Sequence, residues 1–226
     1  MWQFGEELKR EGMCECPSNV AFVFADNNKD KKREHRLIER SYSLCSESCH
    51  YYHIAQEYTP WDWFGKIGPM KQLILSDHFK QQQFEFIVLT DADDQTLIRS
   101  PHDIVPRFLS YDCDILLAGE ATSYPKWMKH ESHLENILSP WSKHHQHLNA
   151  GGMMARVDCI LPYLEFMERD YNETGIKYAK EIEESGKHKW RDQTCWRQMA
   201  LKYYPKIKID SLSKIWSRVD IYINDL

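Results

Sequence analysis

Residues 86–94 read "FIVLTDADD". Phe86, Ile87, Val88 and Leu89 form a short unbroken apolar run, which suits a strand buried on both faces. The run passes through Thr90 into three carboxylates, Asp91, Asp93 and Asp94. Like charges that close repel, and burying them is costly. A positive partner is therefore expected at the end of this strand.

Outward from it, the chain alternates. "NVAFVFADN" is a first buried strand ending at Asp26, and "KDKKREHRLIERSYSLC" reads as a charged helix. "CHYYHIAQ" is a second strand, and "PWDWFGKIGP" is a loop marked by proline and glycine. "MKQLILSDHFKQQ" is a helix burying Met70, Leu73, Ile74 and Phe79. After the 86–94 strand, "SPHDIVPRFLSY" makes a short helix, with Ser100 as cap and Pro101 at the first helical position. "CDILLAGEA" is a strand ending at Glu120. "HLNAGGMMARVDCI" carries paired glycines read as a turn, and "LPYLEFMERDYNETGIKYAKEIEES" is largely helical. "RDQTCWRQMALKYY" is an amphipathic helix with Trp196, Met199, Ala200 and Tyr203 on its apolar face, and "KIKIDSLSKIWSRV" closes the chain as strand and turn. Strands alternating with helices predict an α/β domain with a mainly parallel sheet flanked by helices. In such sheets ligands gather beyond the carboxyl ends of the strands. Asp26, Asp91 and Glu120 all stand at such ends.

Composition sets outer bounds. The 226 residues suit one α/β domain or two small ones, and 42% hydrophobic with 28% charged residues is an ordinary globular balance. A net charge of -5 argues against a nucleic-acid partner and fits recruitment of cations. The seven cysteines are odd in number, so at least one is unpaired within the chain. Cys14, Cys16, Cys45 and Cys49, even with His50 and His53, do not make a convincing zinc site, while Cys113 and Cys159 read as core thiols. No apolar run is long enough to span a membrane, and the N-terminus lacks a signal-peptide stretch. Read as it stands, the chain is soluble and cytoplasmic; read as a piece of a longer secretory protein, it is lumenal.

Two or three carboxylates within four positions suit a hard divalent cation, Mn²⁺ or Mg²⁺, whose other ligands are water and phosphate oxygens. The same cluster is equally a solvated turn. Asn149 offers a donor and an acceptor to sugar hydroxyls. Gly151 and Gly152 permit close backbone approach or a plain turn. Asp192 caps a helix or accepts a hydroxyl hydrogen.

Taken in order, these stretches resemble the GT-A glycosyltransferases. More closely, they resemble the glycosyltransferase domain of procollagen lysyl hydroxylases and related collagen glycosyltransferases. The family's Asp-x-x-Asp metal motif is matched by Asp91 and Asp94. Its Glu, aromatic and Pro are matched by Glu120, Tyr124 and Pro125, and its Asn-x-Gly-Gly turn by Asn149, Gly151 and Gly152. Its Asp-Gln is matched by Asp192 and Gln193, and its Asp-x-x-x-x-Ile-Phe element by Asp210, Ile215 and Trp216. The resemblance implies one GT-A domain over residues 1–226, with a Rossmann-like sheet. It implies transfer of a hexose from UDP-glucose or UDP-galactose to a hydroxyl of a protein or glycan acceptor, such as a collagen-type hydroxylysine. Asp91 and Asp94 would hold the metal; Lys71, Asp26, Asp93, Gly151 and Gly152 would lie on the donor; Asn149, Tyr124 and Asp192 would surround sugar and acceptor. The family's third metal ligand is a histidine in a His-Gly-like motif beyond the "DSLSKIW" element, and this chain reaches Leu226 before one. Two other readings stay open: a catalytically incomplete GT-A binding or scaffold protein, and a phosphate hydrolase using Asp91-x-Asp93.

Overall fold

The computed structural model describes residues 17–25, 49–54, 65–91, 95–97, 101–139, 145–170 and 192–218. The charged helix expected after residue 28 lies outside them. Six strands form one sheet: β1 (Val20–Ala25), β2 (His50–Ile54), β3 (Phe86–Asp91), β5 (Ile115–Glu120), β6 (His147–Arg156) and β7 (Ile207–Asp210). Their order is β2-β1-β3-β6-β5-β7. β1 runs parallel to β2 and β3, and β5 parallel to β7, while β6 is antiparallel to both its neighbours. The reversed β6 therefore begins at the edge where β3, β5 and β7 end. β4 (Gln95–Leu97) and β8 (Trp216–Arg218) form a separate antiparallel ribbon.

The apolar runs are buried on both sides, as their lack of alternation predicts. On one face Val23, Ile87, Leu89, Leu117 and Met153 pack under four helices: α1 (Ile67–Leu75), α2 (Asp77–Gln81), α5 (Val157–Asp170) and α6 (Asp192–Lys202). On the other, Phe22, Phe24, Val88, Leu116 and Met154 meet Ile104 and Phe108 of α3 (Pro101–Leu109), together with Ile215 and Trp216. α4 (Lys129–Leu138) completes the set of described helices. None of them is long and apolar enough to cross a membrane.

Local details depart from the sequence reading in three places. The helix expected from Met70 begins at Ile67 and takes in Gly68 and Pro69, because a proline in the first turn gives up no needed amide. It also divides at Ser76, whose backbone is extended and whose Oγ accepts the Phe79 amide at 3.3 Å to start α2. Cys159 is only partly buried, whereas Cys113 is a core thiol that burial pushes up to about 12. Cys113, Cys159 and Cys195 form no disulfide, in keeping with the odd count, and Cys49 is disulfide-bonded.

Two glycines make different predictions. A Cβ on Gly119, in β5, would fall 2.3 Å from the His145 carbonyl oxygen, a backbone atom that cannot step aside. Gly119→Ala is expected to cost about 1–3 kcal/mol. A Cβ on Gly68, in α1, meets nothing closer than Glu168 Oε1 at 3.5 Å. Gly68→Ala is expected to change stability by less than about 0.5 kcal/mol, since restriction of the unfolded chain is offset by crowding of the new Cβ against Pro69. Urea unfolding of both variants checks the pair, and equal midpoints would contradict the geometry.

Candidate active site

At the carboxyl edge of the sheet the expected positive partner is Lys66. It stands directly before α1 and is 4% exposed. Its Nζ donates to Asp91 Oδ1 at 3.0 Å and to the Ala150 carbonyl at 2.9 Å. It also lies 2.9 Å from Asp192 Oδ2. That last contact is an ion pair that holds the buried Oδ2 of Asp192 against the ammonium. Burial pulls the Lys66 pKa down, but the charges of Asp192 and Asp91 outweigh it and hold the ammonium above the ordinary lysine value. Burial raises Asp192 above the usual carboxylate range; Lys66 opposes that rise and Asp91 adds to it. With one ammonium between two carboxylates, the centre keeps an excess of negative charge.

The Ala150 carbonyl reaches Lys66 because β6 is irregular there. Leu117 pairs with Met153, but the next residue of β5, Ala118, pairs with Asn149. Ala150, Gly151 and Gly152 are thus surplus against β5, while Gly152 still pairs with Thr90 of β3. Such a bulge re-aims backbone groups without ending the strand. The turn expected at Asn149-x-Gly-Gly is therefore corrected: both glycines lie inside β6. A Cβ on Gly152 would sit 3.0 Å from Ala118 Cβ and 3.2 Å from two atoms of the Trp216 indole, so close packing explains that glycine. Trp216 is delivered by the loop after β7. There the Asp210 carboxylate accepts the amides of Lys214 at 2.8 Å, Ile215 at 2.8 Å and Trp216 at 3.2 Å.

Side chains tie the bulge to the neighbouring elements. Asn149 Oδ1 accepts the Gly151 amide at 2.7 Å, and its Nδ2 donates to Glu120 Oε2 at 3.2 Å. Gln193 Nε2 donates to Glu120 Oε1 at 2.7 Å and to the Tyr124 carbonyl at 3.0 Å, and its Oε1 accepts the Ala150 amide at 3.4 Å. Asp192 Oδ1 accepts the Gln193 amide at 2.8 Å, so Asp192 both steadies the start of α6 and faces Lys66.

The structure thus brings together Asp91, Asp192, Asn149, Gly151 and Gly152, and Tyr124 joins through its carbonyl. Lys71 is placed elsewhere and pairs with Glu168 of α5. Asp26, Asp93 and Asp94 lie outside the described residues. Sequence reasoning missed Lys66 and gave Glu120 and Gln193 no role. A lysine inside a glycine- and proline-marked loop gives no periodic signal; the need for a cation beside Asp91 was the available clue.

As a metal ligand, Asp91 fits in part. Its side chain is 32% exposed, Oδ1 is held by Lys66, and Oδ2 has no hydrogen-bond partner among the described residues. Within those residues, no group of three or more His, Cys, Asp or Glu could hold a metal ion.

No family model and no curated protein matches this sequence. Among solved structures, the chain is similar to a glycosyltransferase involved in the glycosylation of the major capsid of PBCV-1. The TM-score is 0.51 at 12% identity, over 86% of this chain and 81% of that one. The two share a fold. The mixed six-stranded sheet flanked by helices is accordingly an α/β, GT-A type, Rossmann-like architecture. Mouse xyloside xylosyltransferase 1, apo form, is similar at a TM-score of 0.43 and 10% identity, over 91% of this chain and 78% of that one.

Proposed function

We propose that this chain is a glycosyltransferase that moves a hexose from a UDP-sugar to an acceptor hydroxyl with the help of a divalent cation. The observation that carries the reading is the meeting of Asp91, Asp192 and Lys66 at the carboxyl edge of a GT-A type sheet, where α/β folds take their ligands. Asp91, with Asp94, would hold Mn²⁺ or Mg²⁺, and the bound ion supplies charge neutralisation for a departing diphosphate. Lys66 sets a positive charge between Asp91 and Asp192 and limits the repulsion between them. Oδ2 of Asp192, held by Lys66, would lie near the sugar or acceptor hydroxyl. Asn149 and Glu120 hold each other and keep the bulge in shape beside that oxygen.

The finer assignments rest on the family resemblance. It supports UDP-glucose or UDP-galactose as donor, a collagen-type hydroxylysine among acceptors, and donor contacts from Asp26, Asp93, Gly151 and Gly152. No residue is assigned as nucleophile or general base.

A second reading, a GT-A binding protein without transfer, is favoured by one observation: Lys66 already occupies one oxygen of Asp91. Calorimetric titration of UDP with Mn²⁺ separates the two. The transfer reading expects Mn²⁺-dependent UDP binding, weakened about tenfold or more by Asp91→Asn, and release of UDP from UDP-glucose or UDP-galactose. Absence of both binding and release would sink it; binding without release would leave the second reading standing.

A further inference from the structure

Arg197 lies on α6 one turn beyond Gln193 and is 0% exposed. Its Nε and Nη2 donate to the two oxygens of Glu135 on α4, at 2.7 and 2.6 Å. The rest of the guanidinium is turned on the segment between β5 and α4. Nη1 donates to the Tyr124 carbonyl and Nη2 to Ser123 Oγ, at 3.0 and 3.1 Å. Residues four apart on a helix share a face, and here both act on one acceptor: Gln193 Nε2 also donates to the Tyr124 carbonyl at 3.0 Å. Gln193 in turn bonds Glu120 and the Ala150 amide, and Ala150 presents its carbonyl to Lys66. A continuous chain of hydrogen bonds therefore runs from Arg197 through Tyr124 and Gln193 to the Lys66 centre.

We propose that Arg197 is a positioning residue for this site, holding the 121–128 segment in register with Gln193 and thereby with Asp192. The inference rests on the transfer reading above for its catalytic meaning. Its geometric content stands apart from that reading. Arg suits the task because its planar fork serves a carboxylate bidentately and still has donors left over, which a lysine ammonium cannot reproduce.

The test uses the full chain with Arg197→Lys and Ser123→Ala. Arg197→Lys keeps a charge against Glu135; Ser123→Ala removes one hydrogen bond and no charge. Amide hydrogen exchange is read in residues 121–128, at Gln193, and in β1 and β3. Arg197→Lys is expected to speed exchange about tenfold or more in residues 121–128 and at Gln193, as loss of a charge-assisted bond implies, with β1 and β3 at wild-type rates. Ser123→Ala should show a smaller change confined to 121–128. Unchanged exchange in 121–128, or an equal rise in β1 and β3, overturns the proposal. In parallel, UDP release from UDP-glucose with Mn²⁺ should lose about tenfold in kcat in Arg197→Lys, with KM within roughly twofold. An unchanged kcat overturns the catalytic part. If the wild-type chain itself releases no UDP from UDP-glucose or UDP-galactose, the transfer reading fails and exchange alone decides the role of Arg197.

Discussion

Arg197→Ala is expected to lower stability by about 3–5 kcal/mol, the cost of leaving a buried charge without its partner. For a chain of this size that is a fall of roughly 6–20 °C in thermal midpoint. Glu135 is 1% exposed, so its carboxylate gains little from water once the guanidinium is gone. His147 Nδ1, 2.9 Å from Glu135 Oε2, remains as its nearest polar neighbour. The Tyr124 carbonyl and the Ser123 hydroxyl lose a donor in the same step. The double variant Glu135→Met with Arg197→Met is expected to recover much of the loss, because replacing both members of a buried pair by apolar groups is often near neutral. Thermal unfolding of the two variants side by side checks this. A double variant no better than Arg197→Ala would place the cost in the segment held by Arg197 and not in the stranded charge.

Lys66→Met is expected to be nearly as costly, about 3 kcal/mol near neutral pH, and to reduce any transfer activity by roughly 10²–10³-fold. It leaves Asp91 and Asp192 facing each other without a cation. Asp192 already sits above the usual carboxylate range through burial, with Lys66 opposing the rise; without Lys66 it moves higher. The sign of the pH effect follows. A carboxyl whose pKa is raised by folding binds more protons in the native state than in the unfolded one. Its favourable contribution is complete below the unfolded value, about 3.9, and is lost as pH rises through the raised native value. The gap in stability between Lys66→Met and wild type should therefore be smallest near that acid end and widen toward neutrality. Denaturant unfolding at several pH values reads it directly. A gap that narrows as pH rises would contradict the assignment of Lys66 as the cation for both carboxylates.

The sheet was legible because β1, β3 and β5 are unbroken apolar runs, and Phe86 to Leu89 lie in the core as read. Asp91 and Asp192 were legible because carboxylates at a strand end and a helix start stand out against such runs. α4 was not read at all. The residue it buries is Glu135, while Ile137 and Leu138 are exposed, so apolar periodicity misses it. α6 was read as amphipathic, yet Asp192, Thr194 and Arg197 are buried along with Trp196 and Met199. Arg197 and Asp192 meet partners far along the chain, Glu135 and Lys66, which a local pattern cannot reveal. The glycines after Asn149 were read as a turn for a related reason. A bulge depends on what the neighbouring strand does, and that information lies in Leu117 and Ala118.

The bulge has a consequence for how the site can vary. Lys66 is gripped at position 150 by a main-chain oxygen, which every amino acid carries. The side chain at that position is therefore free to change to any that the packing admits, with the grip on Lys66 intact. Positions 91 and 192 hold the lysine through carboxylates and have no such latitude. Relatives that keep the bulge should thus differ at 150 sooner than at 91 or 192. The anchor of the site is inherited with the shape of a strand, independently of the letter written there.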